Sequence, residues 1–266
     1  MIFFHGAFSE RTPFVLDWNQ ALNAVPVASS TAPGFSPWNA LAENTWQAWR
    51  CGANTGWLQL DLGQPRNFDT LAVVGHNLAS VGASLRFQHK LLEADAMTNL
   101  TLITPLDNRP AVLLLPAPVT ARYVGLHFPA GASAPPAIAA VMIGPRLRLP
   151  AWVQPPYVRA ADAETVEGEA AISRGGHYLG RTMRRRGGRL SPQLSPIDRP
   201  WFDANMHGFR EHYNTRRPFL WASSPSDHVS DVVYGWRAEG AAELRADLLG
   251  GGLFVRVGME MDFHVA

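Results

Sequence analysis

Trp57-Leu58-Gln59-Leu60-Asp61-Leu62-Gly63 decides the fold class. Its leucines alternate with polar residues at a period of two, the spacing of a strand with one face in a core and one toward water. Gly63 and Pro65 close the run. The same kind of segment recurs downstream. Phe68 to Val74 is nearly continuous in apolar residues after Asp69, and Ser84 to His89 alternates. Ala111 to Leu115 lies between Pro110 and Pro116, short and apolar, and reads better as a buried strand than as a helix. Ala121 to Phe128 alternates, with Tyr, Val and Phe suited to a pleated surface. Ala139 to Ile143, closed by Gly144-Pro145, completes the set. Turn clusters at near-regular intervals predict an antiparallel sandwich, with Trp57, Leu60 and Tyr123 directed inward.

Composition agrees. Among 266 residues, 47% are hydrophobic and 17% charged, with a net charge of +1. That excludes a disordered chain, which needs low hydrophobicity and high net charge. The 21 Pro and 23 Gly disfavour long helices. No stretch approaches 18 apolar residues, so no membrane span is expected, and the start of the chain shows no signal-peptide pattern. A single cysteine, Cys51, excludes an internal disulfide framework and a thiolate-rich zinc site. Lys90 stands alone beside 22 Arg.

Pro150 to Pro156 reads as a semi-rigid connector and a domain boundary. It divides the chain into an N-terminal strap (1–29), a first domain (30–149) and a second (150–266). In the strap, Phe3, Phe4, Phe8, Phe14 and Trp18 are expected to pack, because so many aromatic rings would not stay in water. In the second domain, Ala170 to Tyr178 and Gly180 to Arg186 read as strands around a turn at Gly175-Gly176. Asp198-Arg199-Pro200 opens a helix. Phe202, Met206, Phe209 and Tyr213 form its apolar stripe, and Arg217-Pro218 ends it. Phe219 to Ala222, Asp231 to Trp236, and Gly252 to Phe263 read as three further strands. Residues 174–217 carry 10 Arg against Asp198, Asp203 and Glu211, a local +7.

Several of these elements together carry a family resemblance. Trp46 and Trp49, then Trp57-Leu58-Gln59-Leu60-Asp61-Leu62-Gly63, then Ala121-Arg122-Tyr123-Val124, then Ile138 to Gly144, resemble the discoidin, or coagulation factor 5/8 type C, family of galactose-binding-like domains. The resemblance covers residues 30–145 and implies a jelly-roll sandwich; that family's paired terminal cysteines are absent. The expected fold class is therefore all-β, a jelly roll followed by a mixed β domain with one short helix. In the second half, the order of Arg217 to Ala222, Val233 to Trp236 and a long terminal strand resembles the C-terminal region of bacteriophage tail proteins. The pair implies a structural subunit of a phage tail tip, assembled in the host cytoplasm and residing in the virion tail. Its implied partners are other tail proteins and further copies of itself in a symmetric homo-oligomer. The alternative is a carbohydrate-binding module that recognises host-surface glycan.

The upper loops are the usual ligand surface of the resembled family. Here they hold Trp38, Asn39, Trp46, Trp49, His76, Asn77, Asn108 and Arg109. Exposed Trp stacks on sugar rings, while Asn, His and Arg hydrogen-bond hydroxyls. The competing reading makes Trp46, Trp49 and Trp57 core anchors and His76 a satisfied turn residue. Assembly contacts are expected from Arg184, Arg185, Arg186, Arg189, Arg216 and Arg217, whose planar forks suit carboxylates and aromatic rings. The alternatives there are a solvated loop, attraction to an anionic cell surface, or nucleic acid, the last disfavoured by the balanced charge. Members of the resembled family can hold calcium, but no carboxylate run has ligand spacing. No His-Glu-x-x-His, Gly-x-Ser-x-Gly or phosphate-binding glycine motif appears, so neither an enzyme nor a cofactor is expected.

Overall fold

The computed structural model describes residues 1–265, apart from the side chains of Met183, Arg184 and Arg185. Two long strands organise the first half. Gly56–Val74 and Ala111–Phe128 pair antiparallel along most of their length. Each merges two segments that the sequence presents as separate strands. Their register shifts between Asp61 and Arg66 and again between Phe68 and Thr70. Gly63 lies there at φ 78°, a left-handed conformation that favours glycine. Such irregularities bend strands, so each long strand contributes to both layers of one folded-over, seven-stranded sheet.

Residues 56–61 and 123–128 are flanked by Val25–Ala28, Leu85–Lys90 and Thr98–Ile103. Residues 70–74 and 111–114 are flanked by Ala140–Gly144 and Ile2–Phe4. Leu58, Leu60, Val124 and Leu126 of the first set join Leu71, Val73, Leu113 and Val141 of the second in one buried cluster. The protein is β-rich, and this part is an antiparallel sandwich apart from the parallel Ile2–Phe4 strand.

A second sheet runs Leu147–Arg148, Phe14–Leu16, Phe219–Ala222, Val232–Arg237, Met261–His264, Tyr178–Leu190, Glu164–Ile172. Its Phe14–Leu16 strand comes from the strap, whose Ile2–Phe4 strand belongs to the sandwich. Phe14 is fully buried, but Trp18 is 65% exposed, contrary to the expectation that the strap aromatics pack. A three-stranded sheet of Gln193–Asp198, Phe254–Gly258 and Ala246–Leu249 completes the second half. The helical stripe is found as predicted, with Phe202, Met206, Phe209 and Tyr213 all buried. It forms two short helices, Arg199–Asn205 and His207–Asn214, rather than one. The long terminal strand is likewise broken at Met259-Glu260, and its halves enter different sheets. The alternation survives the corner because Val255, Val257, Met259, Met261 and Phe263 are all buried.

The second sheet covers part of the sandwich from outside. Ile2, Ala72, Val74, Val112, Leu114 and Met142 meet Phe14, Leu16, Leu220, Ala222, Val232 and Tyr234 in one cluster. Both faces of residues 71–74 and 111–114 are therefore dry. That accounts for their continuous apolar sequence, since a strand buried on both sides has no face for polar residues. Residues 56–61 and 123–127 escape this cover, and their outer face remains open.

Candidate binding face

Alternation along the uncovered half sets Leu58, Leu60, Val124, Leu126 and Phe87 inward and their neighbours outward. Three cross-strand rows result. Trp57, His127 and Arg86 form the first; Gln59, Gly125, Gln88 and Asn99 the second; Asp61, Tyr123 and Lys90 the third. Trp57 and Tyr123 thus lie on the face opposite the core, which corrects the expectation that they point inward; Leu60 does point inward. Trp57 is 40% exposed. Tyr123 is buried instead beneath cations, with Lys90 Nζ 5.1 Å and the Arg122 guanidinium 5.0 Å from its ring centre.

Gln59, Gly125 and Gln88 of the middle row floor a hollow of about 160 Å³ that Trp57, Leu58 and Met97 also line, with Asn99 just outside it. Gly125 makes the space. A Cβ there would stand 3.3 Å from Gln88 Oε1 and 3.4 Å from Met97 Cε. Gln88 donates to Asn99 Oδ1 at 2.6 Å, which fixes both amides. One charge at the edge, Asp61, is already matched. Arg122 donates twice to Asp61 at 2.7 Å, and this pairing holds the Asp61 carboxyl below its ordinary range. What stays open is a flat indole beside neutral amides that both donate and accept. Val25 and Val27, both exposed, continue the apolar rim across from Asp61 and Gln59.

The loop candidates are placed differently. Trp38 and Trp46 are 58% and 80% exposed, as a ligand-facing role requires. Trp49 is fully buried, 5.8 Å ring to ring from Phe128. His76 is buried and accepts from the Leu78 N–H, and burial together with the N-terminal amine lowers its pKa to about 4. Asn39 donates to the Ala48 carbonyl. Asn77 bridges Pro135 and Ala137, and Asn108 accepts from the Ala79 N–H. Arg109 pairs with Glu164 at 2.7 Å. Trp49 and His76 are therefore buried, and Asn39, Asn77, Asn108 and Arg109, each half-buried, spend polar groups on bracing loops. Short polar side chains in turns have backbone groups to satisfy, and here that use wins.

The arginines expected at an assembly contact find their carboxylates within the chain. Arg186 pairs with Glu164, Arg189 with Asp262 and Arg217 with Glu43. Arg216 is exposed at φ 60°. The side chains of Arg184 and Arg185 lie outside the described residues. Among the described residues, no group of three or more His, Cys, Asp or Glu is placed to hold a metal.

The sequence reading did not single out Gln59, Gln88, Asn99 and Gly125. Their signal was the polar half of the same alternation that located the strands.

No family model matches the chain, and no curated protein matches it. Solved structures do resemble it over about half its length. A chitosan-binding module 1 from a Paenibacillus sp. IK-5 chitosanase/glucanase aligns at 20% identity and TM-score 0.42, over 47% of this chain and 98% of that one. CBM32 of AlyQ, in complex with 4,5-unsaturated mannuronic acid, aligns at 20% identity and TM-score 0.39, over 45% and 92%. A Ruminococcus gnavus GH29 fucosidase in complex with fucose aligns at 16% identity and TM-score 0.43, over 49% of this chain and 27% of that chain. Strand register and burial, not these likenesses, carry the sandwich assignment.

Proposed function

We propose that the protein is a carbohydrate-binding module, with residues 30–149 as the recognition unit and 150–266 as the platform behind it. The observation that carries this reading is the hollow over Gly125, walled by Trp57 and floored by fixed amides. A sugar ring offers an apolar C–H face and a rim of hydroxyls. An indole covers the first, and Gln and Asn side chains, donors and acceptors at once, match the second. The middle row itself holds no ionisable side chain, so the hydroxyls of a neutral sugar suit its centre, with Arg86 and Lys90 in the rows to either side.

Testing uses the full chain on a glycan array, with Trp57→Ala beside it. Binding should be saturable and lost in the variant, while the unfolding midpoint stays near the parent's because the indole is partly in water. Binding that survives Trp57→Ala and disappears in Trp46→Ala would move the site to the loops and overturn this assignment.

A second reading, a structural subunit of a bacteriophage tail tip residing in the virion, is favoured by one feature: the long exposed hairpin that leaves the second sheet between residues 164 and 190. A subunit of a repeated assembly has use for such a projection.

A further inference from the structure

Glu164–Ile172 and Tyr178–Leu190 form a hairpin at the edge of the second sheet. Met261–His264 pairs with it only over Gly187–Leu190. Beyond that base, among the described residues, the hairpin has no neighbouring strand on either side. Its tip is closed by Gly176 donating to the Ser173 carbonyl. Val166, Ile172, Tyr178 and Leu179 are each more than half exposed. A two-stranded ribbon standing in water is marginal on its own, and bare edges invite pairing. Neither strand contains proline, though the pairing within the hairpin is irregular at Glu167/Gly168 and Ala171/Ile172, so the charges along the strands decide which edges can meet.

The two strands also differ in charge. Beyond the base, where Glu164 pairs with Arg109 and Arg186 and Asp262 with Arg189, the first strand carries Glu167 and Glu169 and no base, and the second carries Arg181, Arg184 and Arg185 and no acid. This asymmetry selects among the ways two copies could pair. Acidic strand on acidic strand sets Glu against Glu. Basic on basic sets Arg against Arg. Like charges directly across a ladder are unfavourable. Only the acidic edge of one copy beside the basic edge of the next gives each strand an opposite-sign neighbour on both sides.

We propose that this arm is a self-association element, and that copies of the chain join head to tail by pairing the outer edge of 164–172 with the free edge of 178–186 of the next copy. Such a contact is heterologous. It leaves one acidic and one basic edge free at the ends of every chain of copies, so association continues past the dimer until a ring closes or a filament grows. The inference does not depend on the sugar site, which lies on the sandwich.

Sedimentation of the full-length protein tests it. The account expects species at multiples of 29.1 kDa beyond the dimer, growing with concentration and weakening with salt. Replacing residues 167–185 with Asn-Gly keeps the Val166 and Arg186 register and supplies a hairpin turn. That variant should show only the single-chain mass, with an unchanged unfolding midpoint. The variants Glu169→Arg and Arg181→Glu, which lie across the hairpin from Thr182 and Ala170, should each associate more weakly alone and recover when mixed. The proposal is overturned if the intact chain sediments only at 29.1 kDa, if assembly stops at a dimer, if the shortened arm still assembles, or if mixing brings no recovery. Glycan binding is read separately, so failure of one idea leaves the other standing.

Discussion

Arg146 has no exposed side-chain surface, yet it carries a charge. Its guanidinium donates to the carbonyls of Asp69 and Leu115 at 2.9 and 3.1 Å, and lies 3.3 Å from the Asp69 carboxylate and 3.5 Å from Glu10. Arg148 closes the group with a 2.6 Å bond to Glu10. Removing the cation would leave two carboxylates half-neutralised, so Arg146→Met should cost about 3–5 kcal/mol in chemical denaturation. A loss under 1 kcal/mol would show that the cluster holds little. Acid should act on the same cluster. Burial pushes the Glu10 carboxyl up, but hydrogen bonds from Arg148 and Thr12 and the charges of Arg148 and Arg146 outweigh it, so its pKa is lowered. His76 is lowered from 6.5 to about 4 by burial. In both cases the unfolded chain binds protons first as pH falls. The stabilisation is fully present above each group's ordinary value and is lost as pH drops through the folded one. The contributions of these two groups should therefore decline from about pH 6.5 downward, that of His76 before that of Glu10, after the buried Met1 amine, lowered from 8.0 to about 5, has begun to lose its own from about pH 8. A flat profile across that range would contradict both assignments.

At the scale of elements, close approach decides what the hairpin base tolerates. A Cβ on Gly188 would run into the Ala163 carbonyl and the Phe263 ring, both of which are fixed. Gly188→Ala should destabilise by about 1–3 kcal/mol, the usual cost of overpacking; a neutral result in thermal unfolding would mean that the strand can shift. Sequence legibility differed by element. Strand positions were readable because alternation is a local pattern, and Leu58, Leu60 and Val124 turned inward as it required. The merging of 57–63 with 68–74 was not readable, because a bulge keeps both halves in phase with the one core between them while the chain passes from one layer of the sandwich to the other. Nor was the split at Met259-Glu260, since alternation continues through it. The orientation of Trp57 was missed for a different reason: size and apolarity argue for the core, but its parity with Gln59 and Asp61 argued against it. Loop side chains such as His76 and Asn77 were misleading because the residues that bind sugars are also those that staple turns.

For the whole molecule, the covered outer face of the sandwich is the main constraint. Ala72, Val74, Val112, Leu114 and Met142 are buried only because the second sheet lies on them. A fragment ending at residue 149 would expose that surface together with Phe14 and Leu16, and contiguous apolar patches of this kind drive association. It should bind a hydrophobic dye and aggregate, whereas the full chain should unfold in one transition. A monomeric, dye-silent fragment would show that the two halves are independent. The same constraint leaves the outer face of residues 56–61 and 123–127 uncovered, and that is the face on which the sugar site is proposed.

The most direct measurement is a backbone and side-chain NMR titration of the full chain with a neutral oligosaccharide selected on the array. The account predicts that the Trp57 indole and the Gln59, Gln88 and Asn99 amides shift together and saturably. Shifts confined to Trp38 and Trp46, with those four groups unmoved, would contradict it.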